Sequence, residues 1–136
     1  MRQLDQEFFK RFFRLAAWAA IVTIGVLSIV PGELRPHTGA SGYLEHVAAY
    51  VITALLLSLV YSRCSRIVIV APLSIYAASL EFAQLYVPGR GASVIDWIAG
   101  SFGSLIGAVV ATFILRLWLQ LREAIGRKTG LDLLGP

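Results

Sequence analysis

Four side chains in one segment of the chain can do chemistry that its neighbours cannot. The run SLEFAQLYVPGRGASVIDWIAGSFGSLIG, from Ser79 to Gly107, is largely apolar, yet it carries Glu81, Gln84, Arg90 and Asp96. An ionised carboxylate at membrane depth costs roughly 2.5–3.5 kcal/mol on insertion scales, so such a residue is kept for a partner or a task. A carboxylate in apolar surroundings can accept a proton or pair with a cation. The Gln84 amide both donates and accepts. The Arg90 guanidinium can fork onto a phosphate, or onto Glu81 or Asp96. His46, earlier in the chain, adds an imidazole suited to acid–base work.

The elements that must position these groups are membrane spans. The chain has 136 residues, of which 57% are hydrophobic and 15% charged. A soluble domain carries about 25% charged residues. The expected fold is all-α, a four-helix transmembrane bundle in a single domain over residues 1–136, with spans near 12–30, 43–61, 67–87 and 94–119. Each is long enough for ~30 Å of hydrocarbon at ~1.5 Å per residue, and the short connections make consecutive helices antiparallel neighbours. Ser28-Ile29-Val30-Pro31 offers no small-x-small cleavage site, so the first span reads as a retained helix rather than a secretory signal. The helical pattern of Leu117–Ile125 is expected to extend the fourth span along the inner surface, with Thr129–Pro136 frayed. Cys64 is the single cysteine, which excludes an intrachain disulfide and a cysteine metal cluster.

Arginine and lysine set the orientation. Arg2, Lys10, Arg11 and Arg14 flank the first span, Arg63 and Arg66 join the second to the third, and Arg116, Arg122, Arg127 and Lys128 follow the fourth, so ten of the twelve basic residues share one side. Both termini are therefore expected in the cytoplasm, with Arg35 and Arg90 outside. Trp97, Tyr86 and Tyr43 would form the outer aromatic belt, and Trp118, Phe12 and Phe13 the inner one. The excess positive charge favours anionic lipid head groups over nucleic acid as a partner.

In this topology the polar residues converge. Glu81 lies about 10 Å below Pro88, with Gln84 and Ser74 on its stripe. His46 enters the second helix at the outer end, with Tyr50 one turn beneath it. Asp96 begins the fourth helix at the same level. Val87-Pro88-Gly89-Arg90 fits a type II turn, with proline presetting φ and glycine supplying φ > 0. Asp96, Ala99, Gly100, Gly103, Gly107 and Ala111 form a small-residue stripe, on which Gly100, Gly103 and Gly107 admit another helix closely. Plainer roles stand beside the functional ones. Ser93-x-x-Asp96 reads as a capping box, Arg90 as a head-group anchor or a partner of Asp96, and His46 as an interfacial polar residue. Glu81 has a structural ion pair as its alternative.

His46-x-x-x-Tyr50, then Ser79-Leu80-Glu81-x-x-Gln84-x-x-Val87-Pro88-Gly89-Arg90-x-Ala92-Ser93-x-x-Asp96, then Gly100 and Gly103-x-x-x-Gly107, resembles the VanZ-like family of small bacterial membrane proteins. The resemblance runs from about Tyr43 to Ala111. It implies a multi-pass protein of the bacterial inner membrane, associated with the envelope, with a site at His46, Glu81, Gln84, Arg90 and Asp96. The family's namesake is linked with resistance to the glycopeptide teicoplanin. Two positions depart from the family pattern. Gly42 and Tyr43 stand where members often carry an Asp-Lys pair, and Gly100 or Ser101 where an asparagine is often found.

Three functions compete. The first is a binding module whose outward pocket of His46, Tyr50, Glu81, Gln84, Arg90 and Asp96 takes a phosphate-bearing or otherwise polar envelope lipid. The second is an accessory subunit, docked on a larger membrane complex or a second copy, whose polar groups lock its own helices. The third is an enzyme on a lipid-linked substrate, with Glu81 or His46 as acid–base group and Arg90 stabilising charge. No H-E-x-x-H, P-loop or nucleophile-elbow motif names a reaction. No cofactor is expected. No metal is expected either, since the candidate donors His46, Glu81 and Asp96 are scattered along the sequence.

Overall fold

The computed structural model describes residues 3–34, 39 and 41–129, with side chains over 7–34, 39 and 41–127. Four α-helices follow one another: α1 (Gln3–Ile29), α2 (Gly42–Val60), α3 (Arg66–Gln84) and α4 (Val94–Thr129), with a single 3₁₀ turn at Gly32–Leu34. There is no strand among the described residues. All four helices are long and apolar enough to cross a membrane. At 1.5 Å per residue, α2 and α3 are each about 28 Å long, the thickness of a hydrocarbon core. Large apolar side chains such as Ile52, Ile75, Phe102 and Phe113 lie exposed on the outer faces, as expected where the surrounding solvent is lipid. Arg35 lies outside the described residues.

The expected spans match the helices, with differences at the ends, and α1 begins at Gln3 rather than near Phe12. The third helix stops at Gln84 rather than Val87. There the backbone tightens into i→i+3 bonds, from Leu85 N–H to Phe82 O, Tyr86 N–H to Ala83 O and Val87 N–H to Gln84 O. This narrows the last turn ahead of Pro88, which cannot continue a helix. The fourth helix continues past Leu119, as the Leu117–Ile125 pattern leads one to expect, without a break to Thr129. From Arg116 to Ile125 it is exposed all round, and Arg122 lies over the Trp118 ring at 4.6 Å.

The main seam joins α2 to α4, and glycine is the reason. A Cβ at Gly103 would come within 2.6 Å of Val47 O. One at Gly107 would overlap Val51 O and lie 2.9 Å from Leu55 N. With no side chains there, the two backbones lie in contact, the arrangement that drives helix association in lipid. Ser104, Ala108 and Ala111 complete this buried face. The α3–α4 seam is polar. Ser74 Oγ and Ser101 Oγ are 2.7 Å apart, and Trp97 Nε1 donates to Ser74 O at 3.2 Å. Among the described residues, helix α1 packs on α2 and α3 rather than on α4. Tyr76 of α3 holds it by donating to Ile21 O at 2.9 Å.

The topology places the α1–α2 and α3–α4 connections together at one end of the bundle, here called the loop end. The start of α1, the end of α4 and the α2–α3 connection share the other, the terminal end. At the loop end Gly32 N–H donates to Pro88 O at 3.2 Å, and the two connections lie so close that a Cβ at Gly32 would strike Gly89 O. The expected type II turn is present. Arg90 N–H bonds Val87 O at 3.1 Å, and Gly89 has φ +71°, a conformation that glycine adopts without steric cost.

Candidate functional site

Three helices bring three titratable side chains to the loop end. His46 stands in the first turns of α2, Glu81 near the end of α3 and Asp96 in the first turn of α4. One donor atom from each lies within 4.8 Å of the others. Glu81 is buried, and His46 and Asp96 are half-buried. Their spread along the sequence disappears because antiparallel packing stacks the start of α2, the end of α3 and the start of α4 at one level.

Each group is oriented by a backbone contact. His46 Nδ1 lies 2.9 Å from Gly42 O one turn earlier in α2. A carbonyl can only accept, so this bond puts a proton on Nδ1 and turns Nε2 into the site. Nε2 lies 3.5 Å from Glu81 Oε1. The other oxygen of Glu81, Oε2, accepts the Ser93 N–H at 2.8 Å. This bond changes the reading of the Ser93-x-x-Asp96 motif. Ser93 does cap α4, its Oγ accepting from Asp96 N–H at 3.2 Å. In a capping box the carboxylate three residues on would return to the cap residue's own N–H. Here Glu81 of α3 occupies that donor, and the Asp96 carboxylate is left to face His46 and Glu81. No described residue donates a hydrogen bond to it.

Gln84 follows Glu81 by one turn on the buried stripe Ile69, Leu73, Ala77, Glu81, Gln84. It is 4% exposed, and its Nε2 has no hydrogen-bond partner among the described residues. A buried donor left unpaired costs about 1–3 kcal/mol. Tyr50, one turn below His46, is buried, its ring against the α4 backbone where a Cβ at Gly100 would sit 3.0 Å from Cδ2 and Cε2. It lies on the same face of α2 as His46, one helical turn away.

Arg90 is placed differently. Its Nη2 donates to Leu27 O at 2.6 Å and its Nε to Val30 O at 3.2 Å. These carbonyls end α1 and have no partner within the helix, and the cation also meets the negative end of the helix dipole. The guanidinium thus ties α1 to the α3–α4 turn at the rim of the site. Ser74 lies in the α3–α4 seam with Ser101 and Trp97 rather than among the clustered groups.

Sequence reasoning named the clustered side chains but missed two backbone groups, the Gly42 carbonyl and the Ser93 amide. The i−4 spacing before His46 was a legible signal for the first. The second depends on where α3 lies against α4, which no local spacing reports.

Four membrane-length helices with a polar cluster at one end define a multi-pass membrane protein. The VanZ/LLP1 family model matches residues 3–116, and the chain belongs to that family. No curated protein and no solved structure matches the chain.

Proposed function

We propose that this VanZ-type protein of the bacterial inner membrane, with both termini in the cytoplasm, binds the polar head group of an envelope lipid at the loop end. The loop end would then face outward. The observation that carries this reading is incomplete pairing. A cluster built only to lock helices together satisfies its own polar groups. Here the Asp96 carboxylate accepts no hydrogen bond from a described residue, and buried Gln84 keeps an unpaired Nε2. The carboxylate suits a hydroxyl or ammonium donor, and the amide N–H suits an acceptor oxygen of the ligand. His46, Glu81, Gln84 and Asp96 contact the head group, Tyr50 lies one turn along α2 from His46, and Arg90 secures α1 at the rim. A link to envelope stress or glycopeptide resistance belongs to this same reading, through the family.

The test is native mass spectrometry of protein extracted gently from its own membrane, with lipid analysis of what stays bound. One class of envelope lipid is expected to remain on the wild type and to be lost from Glu81→Gln and Asp96→Asn. Glu81→Gln keeps an acceptor for Ser93 N–H, so the fold persists. The same lipids in the same amounts on all three proteins would overturn the reading. A stoichiometric protein partner without a selected lipid would instead make the chain an accessory subunit.

A further inference from the structure

We infer that His46 Nε2, Glu81 and Asp96 are the protein's ligands for one divalent first-row metal ion, of the Zn²⁺ or Mn²⁺ class. The inference rests on the reading that this site takes a ligand, and it identifies part of that ligand.

Charge is the first argument. Two carboxylates and an imidazole nitrogen meet within 4.8 Å, in a bundle whose surroundings are apolar. With Nδ1 committed to Gly42 O, a neutral His46 turns a bare lone pair toward the oxygen lone pairs of Glu81. Lone pairs facing at 3.5 Å repel unless something positive stands between or beside them. A proton on Nε2 balances one carboxylate and leaves the other to the α4 N-terminus and solvent. A divalent cation balances both. The same charge argument separates this site from a direct anion site. A phosphate would meet net negative charge here, whereas a bound cation would reverse the local sign and let a phosphate or water oxygen complete the coordination.

Geometry is the second argument. Ligand atoms at ~2.0–2.2 Å from a tetrahedral ion stand about 3.3–3.6 Å apart. The Nε2–Oε1 separation of 3.5 Å has that value. One donor atom from each residue lies within 4.8 Å of the others, so side-chain shifts of about an ångström would bring all three separations into range. The donor set of one imidazole and two carboxylates suits Zn²⁺ or Mn²⁺ better than the soft ions that thiolates select.

The outer shell supplies the third and independent argument. Metal-bound histidines donate their second ring N–H to a carbonyl or carboxylate, and bound carboxylates are themselves hydrogen-bonded. His46 has the Gly42 carbonyl at 2.9 Å, and Glu81 holds the Ser93 amide on its other oxygen at 2.8 Å. Gln84, 96% buried by its 4% exposure and next along the same stripe, carries an unpaired N–H donor. A metal-bound water or phosphate oxygen supplies the acceptor that this donor lacks. Three protein ligands leave at least one coordination position for such an oxygen.

The experiment uses the full chain in detergent with Cys64→Ser, so that the exposed thiol binds nothing. The protein is stripped with EDTA, reloaded with Zn²⁺, desalted and assayed for metal by mass spectrometry, with binding followed by calorimetry. About one ion per chain is expected, with at least a 100-fold weaker affinity in Asp96→Asn and in His46→Gln, since changes even to outer-shell partners cost about 10–100-fold. No described residue donates a hydrogen bond to the Asp96 carboxylate, so Asp96→Asn should unfold at the wild-type temperature. Substoichiometric zinc on the wild type would overturn the inference, as would zinc bound equally by the variants. If the variants fail to fold, Co²⁺ loaded into the otherwise wild-type chain decides. Nitrogen–oxygen ligand-field bands would support the site, and the spectrum of aqueous Co²⁺ would overturn it. Lipid retention is measured on stripped and loaded protein in parallel. Lipid held equally by stripped and loaded protein overturns the metal's part in head-group binding and leaves the head-group reading standing. Loss of both overturns the head-group reading as well.

Discussion

The two ends of this bundle are built on opposite terms. At the loop end, polar side chains from three helices converge, and backbone groups orient them: Gly42 O holds His46 and Ser93 N–H holds Glu81. At the terminal end, α1, α2 and α3 part around an apolar cleft of about 340 Å³, lined by Trp18, Leu57, Tyr61, Pro72, Leu73 and Tyr76. One polar bond, from Arg66 Nε to Thr112 Oγ1 at 2.7 Å, joins α3 to α4 there. The packing follows the chemistry. Small residues draw α2 and α4 together, so a carboxylate and an imidazole can face each other across the seam. Bulky side chains at the other end keep the helices apart. Precision lies where the glycines are, and the apolar end tolerates loose fit because dispersion has no required direction.

The largest effect is expected from breaking the close approach on which that contrast depends. Gly107→Leu forces a side chain into the α2 backbone at Val51 and Leu55. Overpacking typically costs 1–3 kcal/mol, and where the obstacle is backbone the cost should reach at least about 3 kcal/mol. Thermal unfolding in detergent should show a large drop or no folded protein. Gly91→Ala, with nothing within 4 Å of the added Cβ, is the matched control. A Gly107→Leu protein as stable as Gly91→Ala would mean that the seam is not what organises the loop end.

Arg90→Ala tests the rim. It removes two charge-assisted bonds to the end of α1, worth about 1.5–3 kcal/mol together after allowance for partial exposure. Hydrogen exchange should rise at the end of α1, while α2 and α4 stay protected. Arg90→Lys should recover part of the loss, because an ammonium keeps the charge without the fork. Unchanged exchange in α1 would remove this clamp from the description of the loop end.

Thr112→Val gives the smallest effect and sharpens the contrast. It deletes the acceptor for Arg66 Nε at a cost of about 0.5–1.5 kcal/mol. Stability should fall slightly in thermal unfolding, and the amounts of lipid and metal bound at the far end should not change. A loss of binding from this position would show that the two ends are coupled.

Much of this molecule can be read along the chain. Apolar runs of membrane length, each ended by Pro-Gly or by polar residues, specify four helices, because backbone polar groups in lipid must bond within their own segment. Val87-Pro88-Gly89-Arg90 specifies its turn, and the Gly103–Gly107 stripe marks a face for close packing, since both depend only on local sterics. The polar side chains stand out against the hydrophobic background, so Glu81, Gln84, Asp96 and His46 can be singled out from sequence.

What folding alone decided is the pairing among them. Ser93-x-x-Asp96 is locally a complete capping box, yet Glu81 takes the Ser93 amide and Asp96 turns to the cluster. Arg90 could reach a carboxylate or a phosphate by its spacing, yet the end of α1 gives it two carbonyls. His46, Glu81 and Asp96 look scattered until three helices bring them within 4.8 Å. A hydrogen bond or an ion pair goes to whichever partner lies within about 3 Å, and between residues on different helices that distance is set by how the helices pack.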